Sequence, residues 1–416
     1  MLEPVEQGPH DAGVTKLEDI LIAKRSEPVR EIIGNCSNLN AQFEASLKSQ
    51  LRMLKNSANT QGNGKLDSSE VVQAKLERGS SSRKLSVRKS SAKREISAVL
   101  AMDQLQRDQV LQEMWQTEEN RESSKRRREL CFMGVPVVLR GAVWSESLGN
   151  PLQLNDELQK VLTERVTQNE ADLLRNSHGD VTDGVSRINT ASNSIALDVP
   201  RTFTDLEFLH EGDLNSRDEL GCLLEKYALF RPEVGYAQGM SFIAAMFTLH
   251  MDPYSAFRAF ASIVETTILR DFYVMKMSQV RVYMNVHSSL LQAEIPDVYY
   301  HFKQHKVNPD LYMINWVMSL FSKTTPLELT CRLWDVLLLD GDVGIFRIAL
   351  GLIKHIAKVF TRCNQDECLH LLTKYPMYEN NDEVIASVRS VSLSKRKLKQ
   401  VVSKCTSDIR KGEPDP

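Results

Sequence analysis

From Pro136 onward, apolar residues recur at spacings of three and four positions, which is the pattern of helices with one buried face. Pro and Gly residues separate the periodic stretches, and no sustained alternation of apolar and polar residues indicates a strand. The periodic stretches cover residues 138–144, 152–166, 218–230, 241–250, 253–269, 279–293, 312–321, 327–339, 346–360, 368–372 and, more weakly, 384–391. The sequence therefore predicts an all-α domain over about residues 131–405.

Residues 95–130, ahead of this domain, are rich in helix-forming residues and contain neither Gly nor Pro. Leu105, Leu111 and Trp115 lie among apolar residues at helical spacing, so we predict a helical linker. Its last part contains the basic run 125–128. We interpret this run as a solvated helix end, because cations are favoured near a helix C-terminus; a nuclear-localisation signal is the alternative.

Residues 1–94 are polar and charged, and Phe43 is the only aromatic residue among them. Because such a composition buries little apolar surface, we predict a largely disordered N-terminal extension. Residues 78–94 contain seven basic and no acidic residues, interleaved with serines. This stretch is either a solvated basic linker or a tail that contacts anionic lipid or an acidic partner. Phosphorylation would release such a tail, and Ser86 is the candidate site.

Three further segments depart from the periodic pattern. Residues 169–193 are rich in Gly, Asp, Ser and Asn, and we predict a surface insertion there. The basic run 394–399 is interpreted as a second solvated helix end, with contact to an acidic surface as the alternative. Residues 406–416 are predicted to form a disordered tail.

Composition limits the class of protein. The 416 residues carry a net charge of −2, so no global field indicates nucleic acid or membrane as a partner. The seven scattered cysteines indicate a reducing compartment. The most apolar run, 239–251, is shorter than the roughly 20 residues that a membrane-spanning helix needs, and no secretory signal is apparent. We therefore predict a cytoplasmic protein whose membrane contacts, if any, are peripheral.

Motifs of self-contained active sites are missing from the sequence. It has no phosphate-binding loop, dinucleotide fingerprint, zinc-protease motif or hydrolase nucleophile elbow. Cys363, Cys368 and His370 are spaced too loosely for a zinc site and have no fourth ligand. We predict no metal site and no cofactor, and a self-contained hydrolase is not supported.

Two polar residues carry the candidate chemistry, and Arg201 is the first. It follows Pro200, whose ring restricts the backbone of its own and the preceding residue, so Arg201 is predicted on a stiff loop. Thr204 and Glu207 resemble a capping box that starts a helix after this loop. The planar guanidinium can grip two phosphate oxygens, and Asp198 is placed to hold it in one rotamer. A surface salt bridge is the alternative role for Arg201.

The second residue is Gln238. Pro232 and Gly235 interrupt the preceding helix, and an apolar run begins at Met240, so Gln238 is predicted on a loop before a helix. An amide both donates and accepts hydrogen bonds, which suits it to orient a water molecule. A helix cap is the alternative role.

Three short motifs occur in a fixed order and are accompanied by four flanking ones. The motifs are Arg140-Gly-Ala-Val-Trp144, Ile195-x-x-Asp198-x-x-Arg201 and Tyr236-x-Gln238, and the flanks are Gly134-Val-Pro136, Gly239-Met240, Arg332-Leu-Trp334-Asp335 and Gly341-Asp342. Over about residues 130–405 this ordered set resembles the TBC domain family, the GTPase-activating proteins for Rab GTPases. The resemblance implies an all-α domain with a groove that receives a Rab in its GTP state.

The resemblance also implies roles for single residues. Arg201 is then an arginine finger and Gln238 a glutamine finger, and both enter the active site of the Rab. Asp198 is expected to orient Arg201, while Tyr236 and Gly239 are expected to support the Gln238 segment against the Rab. Arg140 and Trp144 match the first motif and are interpreted mainly as scaffold. Trp144, Trp316 and Trp334 are expected in the core.

On this interpretation the chain acts in trans, and the hydrolase active site belongs to the Rab. GTP and Mg²⁺ come with the Rab, so the chain has no cofactor of its own. The chain is expected to act in vesicle trafficking. Its expected location is the cytoplasm, with recruitment to endomembranes of the Golgi, endosomal or autophagic kind. A Rab-binding scaffold that recruits rather than catalyses, or a helical adaptor unrelated to GTPases, is the alternative.

Overall fold

The computed structural model describes residues 104–117, 124–175, 183–204, 214–376 and 381–412. Every regular element in these ranges is helical and none is a strand, which confirms the all-α fold class. The first nine helices are α1 (Gln104–Gln116), α2 (Ser124–Met133), α3 (Val137–Leu148), α4 (Asp156–Arg175), α5 (Asp183–Asp198), α6 (Leu214–Phe230), α7 (Met240–Thr248), α8 (Pro253–Thr266) and α9 (Leu269–Tyr273). The predicted extension 1–94, with Ser86, lies outside the described residues.

The second half of the chain is also helical. Its helices are α10 (Met277–Glu294), α11 (Pro296–Gln304), α12 (Met313–Met318), α13 (Leu327–Asp340), α14 (Asp342–His355), α15 (Ala357–Phe360), α16 (Gln365–Thr373), α17 (Asp382–Ser390) and α18 (Lys395–Gly412), with a 3-10 turn at Pro309–Leu311. No helix within the described ranges is both long and apolar enough to cross a bilayer.

Helices α13 and α14 lie at the centre of the fold and are buried along most of their length. Helix α17 packs closely on α14 at Gly351. A Cβ atom there would lie 2.5 Å from Cα of Val388, so only glycine permits this approach. A helix that is apolar on nearly all sides is expected in the interior of a layered fold.

Tryptophan side chains fill the core around α13, as the sequence predicts. The ring centroid of Trp334 lies 5.6 Å from that of Trp144 and 5.1 Å from that of Phe247. Each buried indole N–H has an acceptor, since Trp334 donates to the carbonyl of Leu320 at 2.9 Å and Trp316 donates to a carbonyl on α16 at 2.7 Å. The expectation that Trp144, Trp316 and Trp334 are core residues is confirmed.

The helices before residue 134 pack into the domain, which corrects the predicted linker at 95–130. Trp115 of α1 is buried, and its indole donates to the carbonyl of Gly134 at 3.2 Å. Arg107 binds Asp382 of α17 through both terminal nitrogens, at 2.5 and 2.8 Å. Arg332 of α13 binds the same carboxylate at 3.1 Å. Local periodicity identifies a helix, but it cannot identify a partner this distant in sequence.

The basic run 125–128 lies at the N-terminal end of α2, so the predicted C-terminal helix end is wrong. Arg127 donates to Glu146 at 2.6 Å, and Arg128 donates to Asp340 at 2.6 Å. These arginines join α2 to α3 and α13. Cations at a helix N-terminus oppose the helix dipole, and the two ion pairs offset that penalty.

Two segments that depart from the predicted periodic pattern are helical. Within the predicted insertion 169–193, residues 169–175 belong to α4 and residues 183–193 belong to α5. Each polar residue such as Ser or Asn costs a helix less than about 1 kcal/mol. Burial of Val166 before the segment and of Ile195 after it outweighs this cost. The packing of these helices, and not composition, decides their structure.

The predicted C-terminal tail is likewise helical from residue 406 to 412, as part of α18. The Lys and Arg side chains of the basic run 394–399 lie in the first turns of this helix and are exposed. Leu398 and Cys405 are buried on its other side, and the Cys405 thiol lies 3.8 Å from the Ser289 hydroxyl of α10. The exposed cations agree with a solvated helix end, although at the N-terminal end of a helix.

Candidate functional site

The sequence predicts Arg201 on a stiff loop after Pro200. The structure places it in a turn that directly follows α5. Helix α5 ends at Asp198, and the Arg201 backbone N–H donates to the Asp198 carbonyl at 3.2 Å. The Thr202 hydroxyl donates to the same carbonyl at 2.7 Å and lies 2.8 Å from the Ser241 hydroxyl of α7. The turn is thereby fixed to two helices. The helix predicted to begin at Thr204 lies outside the described residues, which resume at 214.

The Asp198 carboxylate joins the two segments that carry the candidate residues. Its Oδ1 binds Nη2 of Arg201, and its Oδ2 accepts a hydrogen bond from the Tyr236 hydroxyl at 2.6 Å. Burial, followed by this hydrogen bond, raises the pKa of Tyr236, so the phenol keeps its proton and remains a donor. The Asp198 side chain is buried, whereas 58% of the Arg201 side chain is exposed. A buried carboxylate therefore holds one terminal nitrogen of a guanidinium whose side chain is otherwise exposed.

Gln238 is presented by a short segment that ends in an unusual backbone conformation. Gly239 precedes α7 with φ of 102°, a value that side-chain-bearing residues rarely adopt. A Cβ atom on Gly239 would lie 2.9 Å from the Met318 carbonyl oxygen, which also accepts a hydrogen bond from the Tyr273 hydroxyl at 2.7 Å. The segment thus lies against α12, and the Gln238 side chain is left exposed.

Arg201 and Gln238 line one open cleft, whose empty volume is about 810 Å³. Asp198 and Gly239 line it too. The remaining lining residues are Ser241 and Phe242 of α7, Asn315 and Met318 of α12, and Ser319 and Lys323 of the connection between α12 and α13. The structure therefore brings together four of the residues singled out in the sequence, and Tyr236 contacts them through Asp198.

Arg140 lies elsewhere. It is buried in α3, with its Nε 3.4 Å from Oδ1 of Asp335. Asp335 also accepts hydrogen bonds from the Val135 backbone at 3.0 Å and from the Trp144 indole at 2.9 Å. Burial raises the pKa of Asp335, and the charge of Arg140 counteracts this shift. These contacts fit a scaffold role for Arg140, because none of them reaches the cleft.

Sequence reasoning missed Lys323. Its Nζ lies 6.0 Å from the ring centroid of Phe242, whose ring packs on Phe203 at 5.2 Å between centroids. No motif marks this lysine. The available signal was its position as a single charge between the apolar stretches 316–321 and 327–339.

The cleft offers hydrogen-bond donors and positive charge, but it does not offer a nucleophile. Both serine hydroxyls that line it are already bonded, since Ser241 accepts from Thr202 and Ser319 donates to the Asn315 carbonyl. Within the described ranges, no group of His, Cys, Asp or Glu side chains is arranged to hold a metal ion. A guanidinium and an amide on one cleft can bind anionic oxygens and a water molecule presented by a docked partner.

Comparisons with known proteins agree on one family. The family model described as Rab-GTPase-TBC domain matches residues 138–361. TBC1 domain family member 12 of Mus musculus is 31% identical over 295 residues, which cover 70% of this chain and 42% of that protein. TBC1 domain family member 14 of Homo sapiens is 32% identical over 300 residues, which cover 70% of this chain and 43% of that protein. The chain thus spans less than half the length of these relatives.

A solved structure shows the same fold. The crystal structure of the Chlamydomonas flagellar RabGAP TBC domain superimposes with a TM-score of 0.55 at 21% identity, covering 71% of this chain and 94% of that one.

Proposed function

This chain belongs to the Rab-GTPase-TBC domain family, and we propose that it is a GTPase-activating protein for a Rab-family small GTPase, with Arg201 and Gln238 as its two fingers. One observation carries the proposal. The two side chains are exposed on a single cleft, and their segments are joined through Asp198 and Tyr236.

Arg201 would act on the phosphoryl group. During transfer of the γ-phosphoryl group of GTP, negative charge spreads over its oxygens, and an arginine supplied in trans accelerates such reactions about 10³–10⁵-fold. That factor corresponds to roughly 4–7 kcal/mol of barrier. Because Asp198 already holds the guanidinium, Arg201 loses less side-chain freedom on entering the GTPase site.

Gln238 would orient the attacking water in place of the glutamine that the Rab itself uses. Its amide can accept from the water while it donates to a neighbouring oxygen. GTP and Mg²⁺ would arrive with the Rab, so this chain would need no cofactor. The hydrolase site would exist only in the complex, with the Rab in its GTP state.

The cellular setting follows from this partner. We place the chain in vesicle trafficking, acting in the cytoplasm and recruited to endomembranes of the Golgi, endosomal or autophagic kind. The basic stretch 78–94 would contribute peripheral contact with anionic membrane, released when Ser86 is phosphorylated; both lie outside the described residues.

A panel of Rab proteins loaded with GTP tests the proposal. The wild-type chain should accelerate hydrolysis by at least one Rab, and both Arg201→Ala and Arg201→Lys should lower the stimulated rate about 10³-fold or more. Their melting temperatures should fall only slightly, because the Arg201 side chain is 58% exposed and Asp198 keeps its hydrogen bond from Tyr236. Arg410→Ala, at an exposed position of α18, is the matched control and should retain full activity. Normal stimulation by Arg201→Ala would show that the finger assignment is wrong.

Rescue in cells separates catalysis from scaffolding. A double variant, Arg201→Ala with Gln238→Ala, should still bind the cognate Rab but fail to restore function in cells that lack the protein. Full rescue by this variant would favour the recruiting scaffold instead.

A further inference from the structure

Lys323 is the single exposed residue in the otherwise buried stretch 319–325 between α12 and α13. The second and third residues of this stretch have left-handed backbones, with φ of 45° at Leu320 and 69° at Phe321. Such conformations cost on the order of 1 kcal/mol or more each in residues with side chains. They persist only where the surroundings determine them.

The surroundings of this turn meet that condition. The Phe321 backbone N–H donates to the Trp316 carbonyl at 2.8 Å, and the Trp334 indole donates to the Leu320 carbonyl at 2.9 Å. Both side chains of the strained pair are fully buried. Two core tryptophans therefore hold the strained backbone in place.

The hydrogen bonds continue on both sides of the lysine. The Ser322 hydroxyl donates to the Ser319 carbonyl at 2.6 Å, and the carbonyl of Thr324 accepts from the Tyr375 backbone at 2.9 Å. Lys323 is consequently mounted on a rigid backbone, and its side chain lines the cleft that contains Arg201.

The charge of Lys323 is not compensated within the described ranges. No carboxylate lies within ion-pair distance of its ammonium group there. The carboxylate of the cleft, Asp198, is engaged on both oxygens by Arg201 and Tyr236. The Phe242 ring face 6.0 Å from Nζ favours the cation without neutralising it.

We propose that Lys323 binds a carboxylate on the surface of the docked Rab, and that it contributes to affinity and association rate while Arg201 contributes to turnover. This inference rests on the proposed function. The phosphates of a GTPase are enclosed by the GTPase's own phosphate-binding loop, and a trans arginine already meets the charge that develops there. The residues beside Lys323 are buried, so its side chain extends from the cleft wall by no more than its own length. Its positive charge can pair with a protein carboxylate at the interface and speed association.

Binding of a Rab loaded with a non-hydrolysable GTP analogue tests the contact, using the Rab that responds best in the panel. At low salt, Lys323→Ala should bind about fivefold to tenfold more weakly than wild type, Lys323→Glu should bind more weakly still, and Lys323→Arg should bind normally. The difference should shrink at high salt, because exposed charges are screened. In turnover assays, KM should rise for Lys323→Ala while kcat stays within about twofold.

Lys358→Ala is the matched control, since it removes an exposed lysine of α15 that does not line the cleft, and it should bind as wild type does. Equal binding by wild type and Lys323→Ala would overturn the contact and leave the proposed function standing. A fall in kcat with unchanged KM would also overturn it, because it would indicate contact with the phosphoryl group. If the wild-type chain binds and stimulates no Rab, the proposed function fails and the contact fails with it.

Discussion

The Tyr236 hydroxyl donates a hydrogen bond to Oδ2 of Asp198 at 2.6 Å, across the two segments that carry the candidate fingers. Asp198 ends α5 and binds Arg201, whereas Tyr236 lies two residues before Gln238. The position of the guanidinium is therefore coupled to the position of the amide. A change that releases one segment should disturb both.

Tyr236→Phe removes the hydrogen bond behind that coupling and keeps the ring. We expect stimulated GTP hydrolysis to fall about 10- to 100-fold, because small misplacements of catalytic groups are costly, and stability to fall by about 1 kcal/mol for the lost hydrogen bond. Single-turnover assays and urea unfolding measure the two effects. Tyr300→Phe removes an exposed hydroxyl on α11 and should change neither quantity. Wild-type turnover by Tyr236→Phe would show that the hydrogen bond does not position the fingers.

Gly239→Ala should strain the Gln238 segment. The backbone φ of 102° disfavours any side chain, and the new Cβ would lie 2.9 Å from the Met318 carbonyl oxygen. We expect a loss of about 1–3 kcal/mol of stability together with reduced turnover. Gly221→Ala is the matched comparison, because its helical site in α6 has no atom within 4 Å of the new Cβ. It should raise stability by about 0.5–1 kcal/mol, and the same sign of effect at both glycines would contradict this account.

Asp382→Ala should be among the most destabilising single changes in the described ranges. It would leave Arg107 and Arg332, both largely buried, without their shared carboxylate. Burial alone would raise the pKa of Asp382, but the two arginines outweigh it and lower that pKa, so the carboxylate is charged in the folded protein. Removing one partner of a buried ion pair costs about 3–5 kcal/mol.

Urea unfolding of Asp382→Ala beside Glu383→Ala measures this cost. Glu383 is the exposed neighbour in the first turn of α17, and its loss should change stability by less than about 0.5 kcal/mol. Similar losses for the two variants would mean that the buried cluster contributes no more than a surface charge does.

Stability should fall as the pH drops from about 6.5 toward 3. Burial lowers the pKa of His287 to about 3, and burial together with Arg140 lowers the pKa of His250 to about 3. Both histidines are neutral when folded but take up protons below pH 6.5 when unfolded, so the unfolded state binds more protons in this window. Each histidine should lower the free energy of unfolding by up to about 1.4 kcal/mol per pH unit.

The slope is measured from unfolding free energies at pH 7.5, 6.5 and 5.5. His287→Gln should reduce this pH slope by the amount that corresponds to one bound proton, since a glutamine at this position does not titrate. The Nε2 atom of His287 lies 2.9 Å from the Tyr312 hydroxyl, and a glutamine amide can reproduce this contact. An identical slope in wild type and variant would assign the pH dependence to other groups.

The helical core and the finger segments could be predicted from the sequence, because both depend on short-range signals. Apolar spacing located α6, α7, α10 and α13 to within a few residues, and glycine and proline located the break before Gln238. The sequence does not predict the hydrogen bond between Asp198 and Tyr236, because the order of motifs assigns these two residues to separate fingers. The two residues lie 38 positions apart, beyond any local pattern.

What the sequence missed depends on long-range packing. The ion pair of Arg128 with Asp340 spans 212 positions, so the basic run looked solvated although it joins two helices. Lys323 looked like an ordinary surface lysine, because the left-handed turn that presents it is fixed by Trp316 and Trp334 and not by glycine. Such strain is invisible until the tertiary structure is known.

The ion pair between Arg107 and Asp382 also sets an order of events during synthesis. The partners are 275 positions apart, and a ribosome adding about 5–20 residues per second needs roughly 14–55 s to make that interval. Until α17 emerges, Arg107 of α1 has no carboxylate to meet. The contact of the first described helix with α17 therefore forms last, long after the same helix can meet the carbonyl groups of Met133 and Gly134.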